Sequence, residues 1–141
     1  MKIAIMGSGG IGGYYGAMLQ NGGADVTFIA RGAQLEALRQ SGIAVEGVKP
    51  VQLPKVQATD DPASIGPVDI VIFAVKLRDT ETAARAILPV LKDGSAVHCR
   101  DARTPIAACD AEILVRRNLM IWSVSIYCTL VVRDTGMVSL G

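Results

Sequence analysis

Along the first hundred residues the apolar positions switch repeatedly between a strand-like run and a helical spacing, which predicts alternating buried strands and helices. Lys2 to Met6 (KIAIM) is a short β-branched run cut off by glycines and reads as a buried strand. Gly13 to Asn21 then has helical spacing, Gly22-Gly23 closes that helix, and Asp25 to Ala30 (DVTFIA) supplies a second strand. A strand, turn, helix, strand unit is therefore complete by Ala30. Ala33 to Gln40 reads as a short helix with Leu35 and Leu38 on one side, ended by Ser41-Gly42. Ile43 to Val48 and Val51 to Ala58 are β-rich segments around Lys49-Pro50, which suggests an inserted hairpin. After a polar connection from Asp60 to Pro67, Val68 to Val75 (VDIVIFAV) is almost continuous β-former, as in a central parallel strand covered on both faces. Thr80 to Leu91 has a helical stripe of Ala83, Ala84, Ile87 and Leu91; Lys92-Asp93-Gly94 stops it, and Ser95 to Cys99 reads as the next strand. Beyond His98 the texture changes: Ala107 to Arg117 reads as helix and Leu119 to Val132 as one buried strand.

This order predicts an α/β fold of the Rossmann type, a doubly wound and mostly parallel sheet, with residues 1–141 as one domain. Composition agrees: half of the residues are hydrophobic, 19% are charged and the mean hydropathy is +0.38, which excludes a globally disordered chain. A net charge of +1 without any basic cluster argues against a nucleic-acid partner. The longest apolar stretch, Leu119 to Val132, is interrupted by Ser123, Ser125 and Thr129 and falls short of the ~18 residues of a spanning helix, so no membrane partner is expected. Cys99, Cys109 and Cys128 are odd in number and lack paired spacing, which argues against a disulfide framework or a zinc site. With no export signal at Met1 to Met6, a reducing cytoplasmic setting is expected.

Chemistry enters at the first turn. Gly7-Ser8-Gly9-Gly10-Ile11-Gly12 fits G-x-G-x-x-G after a predicted strand and before a predicted helix. In that setting Gly7 permits the tight turn, Gly9 lets backbone approach a pyrophosphate, and Gly12 allows close helix–strand packing. The unpaired N–H groups of the helix start face the phosphates. Gly16, one turn beyond Gly12, extends the close approach. The second strand ends in Arg31 where a chain selective for NADH has an acidic residue for the ribose 2′-hydroxyl, and a guanidinium there pairs with a 2′-phosphate instead. NADPH is the expected cofactor. Lys76, directly after the apolar strand, belongs in the crevice beyond the strand's carboxyl end, where doubly wound sheets place ligands. His98, the only histidine, reads as structural because no partner can be named for it.

Taken together, MKIAIMGSGGIGGYYGAML, FIARG, VDIVIFAVK and, more faintly, RDTGMVSLG resemble the ketopantoate reductase family. The resemblance implies NADPH-dependent reduction of a small 2-keto acid. It implies that Gly7, Ser8, Gly9, Gly10, Ile11, Gly12 and Arg31 hold the cofactor and that Lys76 lines its nicotinamide end. It also implies a contact to cofactor and substrate at Asp101, within Cys99-Arg100-Asp101-Ala102, where the family carries an asparagine. A carboxylate at that place cannot donate a hydrogen bond and repels an anionic keto acid. Residues 98–126 are atypical of the family, and Trp122-Ser123 stands where it usually has two glycines before its last strands. The family continues into a helical domain that supplies a catalytic lysine, and nothing in these 141 residues matches it. Loss of that docking partner would leave an apolar face, so self-association into a homo-oligomer is a further expectation. A stand-alone NADPH-binding module without turnover, and a truncated or frameshifted product, remain open at this level.

Overall fold

The computed structural model describes residues 1–47, 50–99, 120–125, 128–132 and 138–140. Among these, ten strands and three α-helices follow one another: β1 (Lys2–Met6), α1 (Gly10–Asn21), β2 (Asp25–Ile29), α2 (Gly32–Ser41), β3 (Ile43–Val45), β4 (Val51–Leu53), β5 (Gln57–Thr59), β6 (Val68–Phe73), α3 (Thr80–Ile87), β7 (Leu91–Cys99), β8 (Met120–Ser125), β9 (Cys128–Val132) and β10 (Val138–Leu140). Eight of the strands form one sheet in the order β10-β9-β8-β7-β6-β1-β2-β5, while β3 and β4 form a separate antiparallel pair. Every pairing from β5 to β8 is parallel, and β8-β9-β10 is antiparallel. The expected mostly parallel, doubly wound sheet is therefore what the chain builds.

The period-2 alternation of the strands sorts their side chains between two cores. Ile3, Ile5, Val26 and Phe28 pack with Leu35 and Leu38 of α2, and Leu19 of α1 adds to them. Ala4, Met6, Val71 and Phe73 point the other way and pack with Ala83 and Ile87 of α3. Central strands covered on both faces have no polar side to show, which is why KIAIM and VDIVIF read as nearly continuous apolar runs. Gly16 lets α1 sit close: a methyl group there would lie 2.7 Å from Cζ of Phe28, itself fully buried. At its far end α1 closes in a Schellman arrangement, with Gly23 N–H donating to the Gln20 carbonyl at 3.0 Å and Ala24 N–H to the Leu19 carbonyl at 3.1 Å.

At the amino ends of the strands, a polar cluster ties β1, β6 and β7 together. Asp69 accepts from the Lys2 backbone N–H at 2.7 Å and from Lys92 Nζ at 2.5 Å. The Lys92 ammonium, then the Lys2 N–H, hold the Asp69 carboxyl below its ordinary value of 3.8. Fully buried Ser95 accepts from Lys92 N–H at 3.0 Å and donates to the Val68 carbonyl at 2.7 Å.

Several boundaries differ from the pattern-based expectation, each for a physical reason. α1 begins at Gly10, three residues before the apolar periodicity does, because packing against the sheet overrides the poor helix propensity of glycine. The segment Val51 to Ala58 is two elements: Val51–Leu53 completes the expected hairpin with Ile43–Val45, whereas Gln57–Thr59 pairs in parallel with β2 at the sheet edge. The helix expected over Thr80 to Leu91 stops at Ile87. Pro89 cannot donate to the Arg85 carbonyl, and Leu88–Val90 tightens into a 3-10 turn, after which β7 starts at Leu91 rather than Ser95. Leu119 to Val132 divides into β8 and β9, paired antiparallel. Trp122 and Ser123 lie within β8, where they pair with His98 and Cys99 on one side and with Val131 and Leu130 on the other. The helix expected over Ala107 to Arg117 lies outside the described residues.

Candidate functional site

In an open parallel sheet, the crevice forms where neighbouring connections leave in opposite directions. Here that point lies between β1 and β6, since the chain moves from β1 outward to β2 and then returns to pair β6 on the other side. A cleft of about 620 Å³ opens beyond the carboxyl ends of β1, β2 and β6, within the range of small-molecule and cofactor sites. Its lining brings together Gly7, Ser8, Gly9, Arg31 and Lys76 from the predicted set. Gly10, Ile11 and Gly12 form the first turn of α1, directly behind this lining. Asp101 lies outside the described residues.

The glycine loop is shaped by close approach. Gly7 has a positive φ of 94°, and a methyl group on it would lie 2.9 Å from the Ala74 carbonyl carbon and oxygen and from Cγ1 of Val75. A side chain is therefore excluded on two counts. A methyl on Gly12 would fall onto the Gly7 carbonyl oxygen and 3.1 Å from Cγ2 of Ile5, so the packing role expected for Gly12 agrees with the geometry. Gly9 differs: a methyl there meets nothing within 4 Å, so the loop backbone is bare on its outer side. Gly9 is also the N-cap of α1; it provides no side-chain cap, and the first turn contains no acidic residue. The first bond of the helix runs from Gly13 N–H to the Gly9 carbonyl at 2.7 Å. Backbone donors of the preceding turn thus have no capping side chain, as suits an anion approaching a helix start. This uncapped start, bare backbone and cleft fit a dinucleotide pyrophosphate.

Ser8 does not offer its hydroxyl to the cleft. The residue is 5% exposed, and its Oγ donates to the Ile29 carbonyl at 3.1 Å, the same carbonyl that receives Gly7 N–H at 3.4 Å. Only the Ser8 backbone is left for a ligand. Arg31, exposed, is the N-cap of α2 and has extended backbone (φ −135°, ψ 156°), so its side chain leaves from the cleft edge at the end of β2. The first turn of α2 has no acidic residue. Lys76 is exposed on the opposite lip, and its carbonyl accepts from Asp79 N–H at 2.9 Å in the turn that leads into α3. Arg78 and Asp79, paired at 3.7 Å, add one cation and one carboxylate to that lip. Three basic residues against one acid make the cleft attractive to phosphate groups.

Gln34 was not singled out by the sequence pattern. It lines the cleft from the first turn of α2, and its Nε2 donates to the Ser8 carbonyl. Its only signal is a polar residue three positions after Arg31, which any exposed helix start provides. His98 sits in β7, and burial pushes its imidazole below the ordinary 6.5, which keeps it neutral at physiological pH. It does not line the cleft. Among the described residues no cluster of side chains suits a metal ion, and no helix is long and apolar enough to cross a membrane.

Residues 3–100 match the family model described as ketopantoate reductase PanE/ApbA. The chain is similar to 2-dehydropantoate 2-reductase of Archaeoglobus fulgidus, 44% identical over 89 residues that cover 63% of the chain and 29% of that protein. It is also similar to the 2-dehydropantoate 2-reductase of Nostoc sp., 36% identical over 97 residues, 68% of the chain and 30% of that protein. In three dimensions it superposes on the crystal structure of 2-dehydropantoate 2-reductase from Porphyromonas gingivalis with a TM-score of 0.73 and 31% identity, covering 99% of the chain and 51% of that structure. The chain thus spans about 30% of the length of these curated relatives.

Proposed function

This chain belongs to the ketopantoate reductase family, and on that premise we propose that residues 1–141 form the NADPH-binding part of an enzyme that reduces a 2-keto acid, 2-dehydropantoate to pantoate in pantothenate synthesis. The observation that carries the reading is the meeting of Arg31 and the uncapped glycine loop in one cleft. The bare backbone at Gly9 and the amide donors of the first turn of α1 would hold the pyrophosphate. Arg31 follows β2, at the place that selects between a ribose diol and a 2′-phosphate, and its guanidinium would hold the 2′-phosphate there.

The bound cofactor supplies the hydride. The chain's own residues orient it and shape the charge around it. Lys76 lies on the lip opposite Arg31; in the role the family resemblance implies for it, at the nicotinamide end, its ammonium would favour the anionic keto acid and the negative charge that develops on its carbonyl oxygen. His98, neutral and outside the cleft, is assigned no proton transfer. Asp101 is assigned to the same cofactor end from its place in the sequence, with a carboxylate where the family's asparagine amide would donate.

The test is a pair of dissociation constants, for NADPH and NADH, measured before and after Arg31→Ala. A charge-assisted contact contributes about 1.5–3 kcal/mol, so the preference for NADPH should fall by roughly 10- to 150-fold. An unchanged ratio rejects the assignment.

A further inference from the structure

The two ends of the cleft are held by different elements, the glycine loop by β1 and α1 and Arg31 by β2 and α2, yet they are stitched together at one place. Gly7 N–H and Ser8 Oγ both donate to the Ile29 carbonyl, two residues before Arg31. Gln34, three residues after Arg31, donates back to the Ser8 carbonyl. The first two bonds fasten the loop to the strand end. The third alone joins the loop to the helix that Arg31 caps, and it is made by a side chain that itself lines the cleft. α2 has no side-chain N-cap of its own, and among the described residues Gln34 makes the side-chain link between its first turn and the loop.

We infer that Gln34 is a positioning residue that sets the spacing between the pyrophosphate loop and Arg31, so that the two parts of a 2′-phosphorylated dinucleotide are bound as one unit. This rests on the NADPH reading above. The physical basis is preorganisation: a ligand that spans two elements loses affinity when their separation fluctuates, even if each contact group is intact. Its signature differs from that of a direct contact. A side chain touching only the 2′-phosphate would affect NADPH alone. One that holds the loop affects both dinucleotides, and it also makes Arg31 worth less when it is gone.

The experiment is a double-mutant cycle on the full chain, with Kd for NADPH and NADH measured for wild type, Gln34→Met, Arg31→Ala and the double variant. Methionine keeps the length of the side chain and removes the donor. Because Gln34 is exposed, the melting temperature of Gln34→Met should stay close to that of wild type. Loss of one hydrogen bond predicts that Gln34→Met weakens NADH by about fivefold, and NADPH by roughly threefold more, because NADPH also loses part of its Arg31 contact. The factor by which Arg31→Ala weakens NADPH should then be smaller by at least about threefold in the Gln34→Met background. Independent, multiplying effects of the two substitutions would overturn the inference, as would a loss confined to NADPH or no loss at all. The two proposals fail differently. An NADPH to NADH ratio indifferent to Arg31→Ala in the otherwise wild-type chain defeats the cofactor reading. Independence of the two substitutions with that ratio reduced defeats only the role of Gln34.

Discussion

Replacing Gly12 by alanine adds one methyl group to the most crowded point of the glycine loop, and the consequence can be worked from neighbouring atoms. The new carbon would land on the Gly7 carbonyl oxygen and 3.1 Å from Cγ2 of Ile5. The oxygen belongs to backbone, and Gly7 is itself pressed at 2.9 Å against the Ala74 carbonyl and Val75, so neither side can turn away as a flexible side chain would. Overpacking of a tight interior costs about 1–3 kcal/mol, and backbone on both sides puts this site at the upper end. Alanine returns at most about 1 kcal/mol through its better helix propensity. The net loss is then about 2 kcal/mol. For a chain of this length that is a fall of roughly 6 °C in melting temperature. Gly10→Ala is the internal control: it lies in the same turn, meets nothing within 4 Å, and should leave the melting temperature unchanged or raise it by about 3 °C. Thermal unfolding followed by circular dichroism reads both variants. Were Gly12→Ala to melt at or above wild type, the close approach of α1 to β1 would be wrong.

Two further outcomes probe the amino-terminal end of the sheet. Ser95→Ala leaves the Lys92 N–H and the Val68 carbonyl without their hydroxyl partner in a fully buried place, and should cost about 2 kcal/mol in urea unfolding; a loss under about 0.5 kcal/mol would contradict that pairing. Asp69 has a folded-state pKa below its unfolded value, so its contribution is present above about pH 4 and disappears as the pH falls through the lower folded value. The stability gap between wild type and Asp69→Asn should therefore be full at pH 7 and shrink as the pH falls below about 4, and a gap that does not change with pH would refute the pairing with Lys92.

Much of the cleft was legible in the sequence because its makers carry signals in cis. A glycine run between a β-branched strand and a helix, a cation at the end of the second strand and a lysine after VDIVIFAV each announce a place in a doubly wound sheet. The residues that escaped reading are those whose role is set by tertiary partners. Gln57–Thr59 has no apolar alternation, and its place beside β2 is decided by backbone pairing together with contacts such as Gln57 Nε2 to Asp25 at 3.2 Å. Ser8 looks like a phosphate ligand within the motif, yet its hydroxyl turns inward because the Ile29 carbonyl lies within reach. Gln34 is an ordinary exposed helix residue until the fold brings the Ser8 carbonyl to it. Pro89 did carry a local signal, and its missing N–H accounts for the early end of α3.

Whether this cleft holds a 2′-phosphorylated dinucleotide is decided by an equilibrium titration of the unaltered chain with NADPH and, separately, NADH, followed by cofactor fluorescence. The expected result is saturation at one NADPH per chain and an NADH affinity at least about tenfold weaker, as one charge-assisted phosphate contact requires. Equal affinities, or no saturable binding of NADPH, would contradict it.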